Sequence, residues 1–438
     1  MGIRSALIKG ATTPGVVVEQ ALSQANSNSG KNVYLSLDTE QALRDAESVQ
    51  RKFLERPKPP LYGLPVSLKD CFDLAGYPTT CGSRYYAEKG GPALKDSAMA
   101  KRLREQGAVI VGKTHLNPLA YGLTGENRDY GDCLQPKKDA CLTGGSSSGA
   151  AASVQEGSAA VAVGTDTGGS LRVPAALCGL ASYRASLLLA QRQGLWSGCC
   201  PLAPSFDTLG WIFRDLRDAP LLAEGFLGLR PPLKGETRVR IASASAEFLH
   251  DCDAKVFSGY AEWQDRLQKL GASIVPLEVN FWNDAVTIFS AIQAQEAAAI
   301  HGARTGGDFS SFEAGIAERL TWGASIPAAE ADNRRKRHAD FQKQMDAIFH
   351  EFEFVILPCS PLSRLQSGVN HSKTRQRILR YTTPFSLAGV PVITLPSKDG
   401  AGVQLAAARG GDLRLLAYAA EIGMQASGDG KSSRGRAH

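Results

Sequence analysis

One stretch of the chain, residues 144–179, constrains its fold more than any other. It reads GGSSSGAAASVQEGSAAVAVGTDTGGSLRVPAALCG, with one Gly-Gly pair directly before Ser146 and another directly before Ser170. Between the two serines, small helix-forming residues run up to Gly157, and a short apolar run without charges follows at 159–163. The pattern predicts a helix and then a buried strand, an arrangement that brings two serine hydroxyls together.

The second Gly-Gly pair predicts a turn that binds an anion. The chain leaves the predicted strand through GTDTGG at 164–169, where glycines permit a tight turn and a close approach to a ligand. Consecutive N–H groups in such a turn point into one concavity, as in an oxyanion hole. A phosphate-binding loop needs a lysine directly after the glycines, but Leu171 and Arg172 follow Ser170. A flexible linker is disfavoured because a strand-like run interrupts the segment.

Composition indicates a globular protein with a sizeable core. Of 438 residues, 43% are hydrophobic and 21% charged, and the net charge of +6 is too modest to indicate nucleic-acid or membrane binding. Nine cysteines occur without a CxxC pair, which favours reduced thiols over a disulfide framework or a zinc site. The start of the chain lacks a signal-peptide pattern, and no apolar run is long enough for a bilayer. We expect a cytoplasmic protein.

The rest of the chain alternates strands with helices, as in βα units. Strands are predicted at 33–37, 66–68, 108–111, 238–243, 272–277 and 354–358, and a helical turn followed by a further strand is predicted within 381–396. Helices are predicted within 14–56 and at 215–227, 254–271, 285–301, 332–349 and 413–424, whereas 199–210 is rich in turn residues. The basic run 334–338 is typical of a solvated helix face. Lys69 directly follows a predicted strand, and a functional role for it requires a partner such as the two-serine segment.

With these residues assembled, the chain resembles the amidase signature family, the Ser-Ser-Lys amidases. The resemblance rests on GLPVSLKD at 63–70, on 112–131, on the 144–179 block and on 381–396. It implies a single α/β domain over residues 1–427, with a central mixed sheet of about eleven strands and helices on both sides. A disordered tail is expected over 428–438, and no further domain is expected after the amidase region.

The resemblance also implies a role for individual residues. Ser170 is the nucleophile, Ser146 is the bridging serine, on a cis peptide bond in that family, and Lys69 is the base. The implied oxyanion hole consists of the backbone N–H groups of Thr167, Gly168, Gly169 and Ser170. Candidates for substrate contact are Tyr121, Gly145, Ser147 and Ser148. No metal and no organic cofactor is expected.

The implied triad is chemically consistent with these residue types. A serine hydroxyl is a weak nucleophile and needs an adjacent base. A lysine acts as that base only when desolvation lowers its pKa from about 10.4. One departure from the family pattern is the segment 180–186, which reads LASYRAS where many members have Gly-Leu-Lys-Pro-Thr after the last glycine. We expect this change to reshape the wall of the pocket.

The leading functional hypothesis is a hydrolase that cleaves a linear, non-peptide carboxamide or urea-type C–N bond through an acyl-enzyme and releases ammonia or an amine. One alternative is the A-type component of a glutamine-dependent amidotransferase, which supplies ammonia to a partner protein. Another is a member of the fold without catalytic activity. The expected partner is a small-molecule amide, with neither nucleic acid nor membrane involved, and a homodimer is one option for the assembly.

Overall fold

A mixed β-sheet of eleven strands forms the centre of the protein, in a computed structural model that describes residues 2–232, 239–397 and 399–428. The strands are β1 (Tyr34–Leu37), β2 (Pro65–Lys69), β3 (Val109–Thr114), β4 (Cys141–Leu142), β5 (Val161–Asp166), β6 (Ala181–Arg184), β7 (Thr208–Phe213), β8 (Arg240–Ala244), β9 (Ser273–Leu277), β10 (Phe354–Pro358), β11 (Leu365–Gln366), β12 (Val392–Leu395) and β13 (Val403–Ala407). Strands β4 and β11 pair separately, and the sheet order is β1-β3-β2-β5-β7-β6-β12-β13-β10-β8-β9. This sheet confirms the fold class that the resemblance implied.

Helices flank the sheet. They are α1 (Gly2–Lys9), α2 (Pro14–Ser27), α3 (Thr39–Lys52), α4 (Arg84–Lys89), α5 (Ala98–Glu105), α6 (Ser148–Glu156), α7 (Arg172–Leu177), α8 (Leu187–Gln193), α9 (Ala219–Leu227), α10 (Ala254–Lys269), α11 (Ala285–Thr305), α12 (Ala314–Ser325), α13 (Ala328–Glu351), α14 (Thr374–Ala388) and α15 (Asp412–Gly428). Within the described ranges, no helix combines the length and the apolar character needed to cross a bilayer.

The register of β2 and β5 places the most informative residues at one edge of the sheet. These two strands are parallel, with Val66 opposite Val161 and Leu68 opposite Val163. Because the carboxyl ends of parallel strands meet at the same edge, Lys69 at the end of β2 lies beside the turn that follows β5.

Small side chains allow α6 to lie close to β5. A buried cluster joins the two elements through alanines and valine, including Ala151, Val154 and Ala162. The helix ends at Gly157, whose φ of +102° is left-handed, as expected for a glycine that terminates a helix. A Cβ on Gly149 would lie 2.1 Å from the carbonyl oxygen of Val33, so only glycine allows this close approach.

Three parts of the sheet differ from the predictions made from the sequence. The turn-rich interpretation of 199–210 is wrong from Thr208 onward, because that residue begins β7. The 180–186 segment contains β6, a buried strand between β7 and β12. Strand β13 was not predicted. Two predictions fall partly outside the described residues. The predicted tail lies outside them from residue 429 to residue 438, and the strand predicted at 238–243 does so at its first residue, Arg238.

Candidate active site

The buried side chain of Lys69 is the centre of the candidate site. Its Nζ donates hydrogen bonds to Ser146 Oγ and to Thr165 Oγ1, each at 2.8 Å. Burial lowers the pKa of Lys69, and this effect outweighs nearby groups that raise it, among them the Cys71 and Cys199 thiols. An amine whose neutral form is favoured at hydrogen-bonding distance from a serine hydroxyl has the properties of a general base.

Backbone contacts tie together the two turns that carry the serines. The Ser147 N–H donates to the Ser170 carbonyl oxygen at 3.1 Å, and the Ser147 hydroxyl donates to the Thr165 carbonyl oxygen at 3.1 Å. The peptide bond between Gly145 and Ser146 is cis. The structure therefore brings Lys69, Ser146 and the Ser170 turn together, as the sequence predicted.

A buried carboxylate shapes the turn before Ser170. Asp166 accepts hydrogen bonds from the N–H groups of Gly169 at 2.9 Å and Leu171 at 3.1 Å. It also forms ion pairs with Arg172 at 2.9 Å and Arg184 at 3.2 Å. Burial alone would raise the pKa of Asp166, but the two guanidiniums outweigh it and hold the pKa well below its usual range. Asp166 was not among the site residues predicted from the sequence.

Helix α14 holds the same turn from the other side. The Thr382 hydroxyl donates to the carbonyl oxygen of Gly168 at 2.6 Å. A Cβ on Gly169, whose φ is +120°, would lie 2.8 Å from Thr382 Cγ2, and a Cβ on Gly168 would lie 2.8 Å from a ring carbon of Phe289. The Gly-Gly pair is therefore required by the close packing of α14 and α11 against the turn.

The chain is similar to known proteins over most of its length. The sequence profile of the amidase family matches residues 16–416. The chain belongs to the amidase signature family. It is 28% identical to AtzE, a component of 1-carboxybiuret hydrolase from Pseudomonas sp. (strain ADP), over 92% of this chain and 93% of that one. It is also 28% identical to the A-type component of the glutamyl-tRNA(Gln) amidotransferase of Geobacter sulfurreducens, over 85% and 84% of the two chains.

A solved structure described as an amidase has the same fold. It superposes with a TM-score of 0.87 at 27% identity and covers 97% of this chain and 99% of that one. The family assignment confirms the resemblance, and it places the protein among hydrolases that act on C–N bonds.

One of the backbone N–H groups implied for this family's oxyanion hole donates to a side chain of the protein. The Gly169 N–H donates to Asp166. The hydroxyl of Thr167 donates to Asp207 Oδ1 at 2.6 Å, which fixes the start of the turn, and Ser170 itself is only 3% exposed. By accepting a hydrogen bond from the Gly169 N–H, the Asp166 carboxylate orients the peptide units on either side of Gly169.

Three of the candidates for substrate contact are buried and make contacts within the protein. The hydroxyls of Ser147 and Ser148 both donate to backbone carbonyl oxygens, of Thr165 and Ser146 respectively. A Cβ on Gly145 would lie 1.9 Å from Asn117 Oδ1, so Gly145 is packed directly against that side chain. These contacts give all three residues a structural role in the turn.

Tyr121, the fourth candidate, borders a cavity of about 460 Å³. Two arginines from distant parts of the chain lie over its ring, with Arg319 Cζ at 4.6 Å and Arg375 Cζ at 5.4 Å from the ring centre. Asn117, which contacts the Ser146 turn, borders the same cavity. The sequence offered no signal for the two arginines, because Arg319 is 198 residues from Tyr121 in the chain.

The two arginines concentrate positive charge at the Tyr121 side of this cavity, whose lining also includes Glu126, Asp132 and Glu313. Arg375 Nη2 donates to the amide oxygen of Gln293 at 2.7 Å, and Arg319 Nη2 donates to the Tyr121 carbonyl oxygen at 2.8 Å. Burial lowers the pKa of Arg375 to about 10, and the adjacent charge of Arg319 contributes to the shift. Two neighbouring guanidiniums bonded to neutral oxygens favour a negatively charged ligand.

A larger cavity, of about 630 Å³, lies at the opposite edge of the sheet. Its lining includes Pro65 and Val161, the first residues of β2 and β5, whereas Lys69 and Asp166 end those strands. This cavity is therefore a full strand length from the buried lysine.

Proposed function

We propose that the protein hydrolyses a linear amide or urea-type C–N bond, with Ser170 as nucleophile, Ser146 as proton relay and Lys69 as base. The observation that carries the proposal is the 2.8 Å contact between Lys69 Nζ and Ser146 Oγ. The burial that lowers the pKa of Lys69 supports it. A non-catalytic member of the fold would have no need of this buried, desolvated lysine.

In the proposed reaction, neutral Lys69 takes a proton from Ser146 as Ser146 takes one from Ser170. The Ser170 oxygen attacks the amide carbonyl and gives a tetrahedral intermediate. The proton returns along the same route to the leaving nitrogen, and water then hydrolyses the acyl-enzyme on Ser170. Lysine does the work here that histidine does in other serine hydrolases.

We assign the oxyanion to the N–H groups of Thr167, Gly168 and Ser170. The hydrogen bond from Gly169 to Asp166 supports a positioning role for the fourth N–H of the turn. Loss of one such donor costs about 3 kcal/mol in the transition state, so the rigid turn matters nearly as much as the triad.

The nucleophile is tested by labelling with a fluorophosphonate, followed by intact mass measurement. We expect one adduct on wild type and none on Ser170→Ala. Ser67→Ala is a matched control, because Ser67 is a buried serine on the strand of Lys69 whose hydroxyl pairs with Ser153 Oγ at 2.8 Å; it should keep the adduct. An adduct on Ser170→Ala, or amide hydrolysis by that variant within tenfold of wild type, would contradict the assignment.

For the substrate, we propose an amide that carries a carboxylate. The support is the pair of guanidiniums over Tyr121 in the cavity next to the Ser146 turn. The name of the Pseudomonas relative, a component of 1-carboxybiuret hydrolase, also describes a substrate with a carboxyl group next to urea-type C–N bonds.

Ammonia release from paired amides with and without a carboxylate tests the substrate class. We expect Arg375→Gln to raise KM for the carboxylated amide about tenfold or more and to leave the neutral amide unaffected, because a charge-assisted hydrogen bond contributes about 1.5–3 kcal/mol. Arg377→Gln is the control, since Arg377 lies on the same helix but donates to the Asp251 carbonyl oxygen at 2.9 Å. Equal KM values for both amides in wild type would exclude the carboxylate.

A glutamine-dependent amidotransferase component is the second candidate, supported by the relative from Geobacter sulfurreducens. That function predicts release of ammonia from glutamine only when a partner protein is present. Turnover of a non-glutamine amide by the purified chain alone would favour the hydrolase.

A further inference from the structure

Four of the nine cysteines meet beside the strand that carries Lys69. The Cys81 N–H donates to the Asp70 carbonyl oxygen at 3.0 Å, and the Cys200 N–H donates to the Cys71 carbonyl oxygen at 2.8 Å. Segment 199–200 therefore pairs with segment 71–72. Residue 81 lies beside residue 70, which directly precedes that segment in the chain. Within the described part of the chain, these thiols are not arranged as a metal-binding group.

The four thiols form two pairs with different surroundings. Cys71 and Cys199 are buried, with their sulfur atoms 3.8 Å apart. Cys81 is also buried, and its thiol lies near enough to Cys200, a partly exposed residue, to shift the pKa of Cys200. Only the second pair therefore joins a partly exposed cysteine to a buried one.

An arginine lies against the sulfur of Cys200. Arg304, in the last turn of α11, donates from Nη1 to Cys200 Sγ at 3.0 Å, and its guanidinium lies 5.6 Å from the centre of the Tyr86 ring. The interaction with the Cys81 thiol and then the charge of Arg304 lower the pKa of Cys200 to about 7, against the opposing effects of burial and of Asp207. The Arg304 contact therefore favours the thiolate of Cys200, the reactive form of cysteine.

We propose that Cys200 is a site of oxidation by hydroperoxides, and that it then closes a disulfide with Cys81. In the first step, the Cys200 thiolate attacks one oxygen of hydrogen peroxide and the O–O bond breaks. The sulfur becomes a sulfenic acid, and the second oxygen leaves as hydroxide, which takes up a proton to form water.

In the second step, the Cys81 sulfur loses its proton and attacks the sulfur of Cys200. The S–S bond forms, the S–O bond breaks, and hydroxide leaves and is protonated to a second water. Two thiols and one hydrogen peroxide thus give one disulfide and two waters. The product would join residues 81 and 200 across the end of the strand that carries Lys69.

The test is a thiol map of the full chain, which is independent of any amidase activity. Reduced wild type is treated with hydrogen peroxide near pH 7, remaining thiols are alkylated, and peptides are analysed by mass spectrometry. We expect a peptide cross-linked between Cys81 and Cys200, and two fewer alkylated thiols. Cross-links confined to Cys71 and Cys199, or no cross-link while the thiols remain reduced, would overturn the proposal.

Variants separate the two steps. Cys81→Ser should stop at the sulfenic acid, which dimedone traps on Cys200, and Cys200→Ser should give neither dimedone adduct nor cross-link. Arg304→Gln should slow the reaction about fivefold or more, because the thiolate fraction falls as the pKa returns toward about 8.5. Cys199→Ser is the matched control and should form the cross-link at the wild-type rate. A dimedone adduct on a cysteine other than Cys200 in Cys81→Ser would contradict the order of the steps.

Discussion

At the scale of single residues, the environment of Lys69 sets its proton affinity. Both hydrogen-bond partners of its Nζ, Ser146 and Thr165, are neutral hydroxyls. The carboxylates of Asp166 and Asp207 raise its pKa only from a distance, and burial outweighs them. A lysine with neutral partners in a dry site gives up its proton more readily than one in an ion pair.

Activity should therefore rise with pH as Lys69 loses its proton. Because its pKa is lowered in the folded protein, the midpoint of the rise in kcat/KM should fall below the value of about 10.4 for free lysine. The measurement is kcat/KM for a neutral amide from about pH 6 to about pH 10, and a flat profile would exclude lysine as the limiting base. Lys69→Ala should reduce kcat/KM by about 10²–10⁴-fold.

The resemblance implied the triad because its serines lie within one segment typical of the family and Lys69 lies in a second matching segment. Thr165 and Asp166 lie in the segment of the serines, yet their roles depend on partners that the local sequence does not reveal. The role of Asp166 becomes identifiable only when Arg172 and Arg184 are seen to converge on it. Likewise, nothing in the SSS run shows that the hydroxyls of Ser147 and Ser148 turn toward backbone carbonyls.

At the scale of elements, α14 acts as a support for the 164–170 turn. Thr382 on this helix bonds to the carbonyl oxygen of Gly168, and the Ser386 hydroxyl accepts a hydrogen bond from Arg172 at 2.7 Å. The carbonyl of Gly168 belongs to the peptide unit whose N–H is that of Gly169, so the helix and Asp166 hold the two sides of one peptide plane.

Thr382→Val should therefore lower kcat/KM about fivefold, because one hydrogen bond of about 1 kcal/mol that orients the turn is lost. Thr383→Val provides the matched control: Thr383 is equally buried, but its hydroxyl donates to the Leu379 carbonyl oxygen at 2.7 Å, within the same helix. Steady-state kinetics of both variants, with the unfolding midpoint of each, would distinguish the two positions. Equal loss of activity in both would show that α14 supports the fold in general and not the turn in particular.

A strand made only of apolar residues was predicted, whereas two strands that contain an arginine or a glycine were missed. The 354–358 prediction coincides with β10, whose residues FVILP are all apolar and buried. Strand β6, in contrast, contains Ser182 and Arg184, whose polar groups are satisfied by Thr394 and Asp166 from other elements. In β7, Gly210 is required because a Cβ would lie 1.9 Å from the Tyr183 carbonyl oxygen, although a glycine in a short sequence is typical of a turn.

At the scale of the whole molecule, one buried polar network joins the halves of the sheet. Asp166 on β5 pairs with Arg184 on β6 and with Arg172 on α7. Arg172 continues to Gln404 on β13 at 2.8 Å, a residue 232 positions away in the chain. In the sheet order, β5 and β13 are separated by three strands. The resemblance predicted the number of strands, but no local pattern could predict a connection across them.

The network should make the global stability depend on Asp166. Asp166→Asn leaves two buried guanidiniums without their carboxylate, so we expect the free energy of unfolding to fall by about 3–5 kcal/mol near pH 7. Because the folded-state pKa of Asp166 is lowered, its contribution is present above the unfolded pKa of about 3.9 and is lost as the pH falls below that value. The difference between wild type and variant should therefore shrink below about pH 4.

Urea unfolding at several pH values measures this difference. Asp265→Asn is the control, since Asp265 forms an exposed ion pair with Lys269 on the surface of α10 and its removal should leave the unfolding midpoint unchanged. A stability of Asp166→Asn equal to wild type at neutral pH would mean that the arginines are held by their other partners, Gln404, Ser386 and backbone carbonyls. Suppose that Asp166→Asn is as much less stable than wild type below pH 4 as at pH 7. The lost interaction would then be one of shape and hydrogen bonding, because proton uptake by the Asp166 carboxyl group in the unfolded chain should otherwise reduce the advantage of wild type.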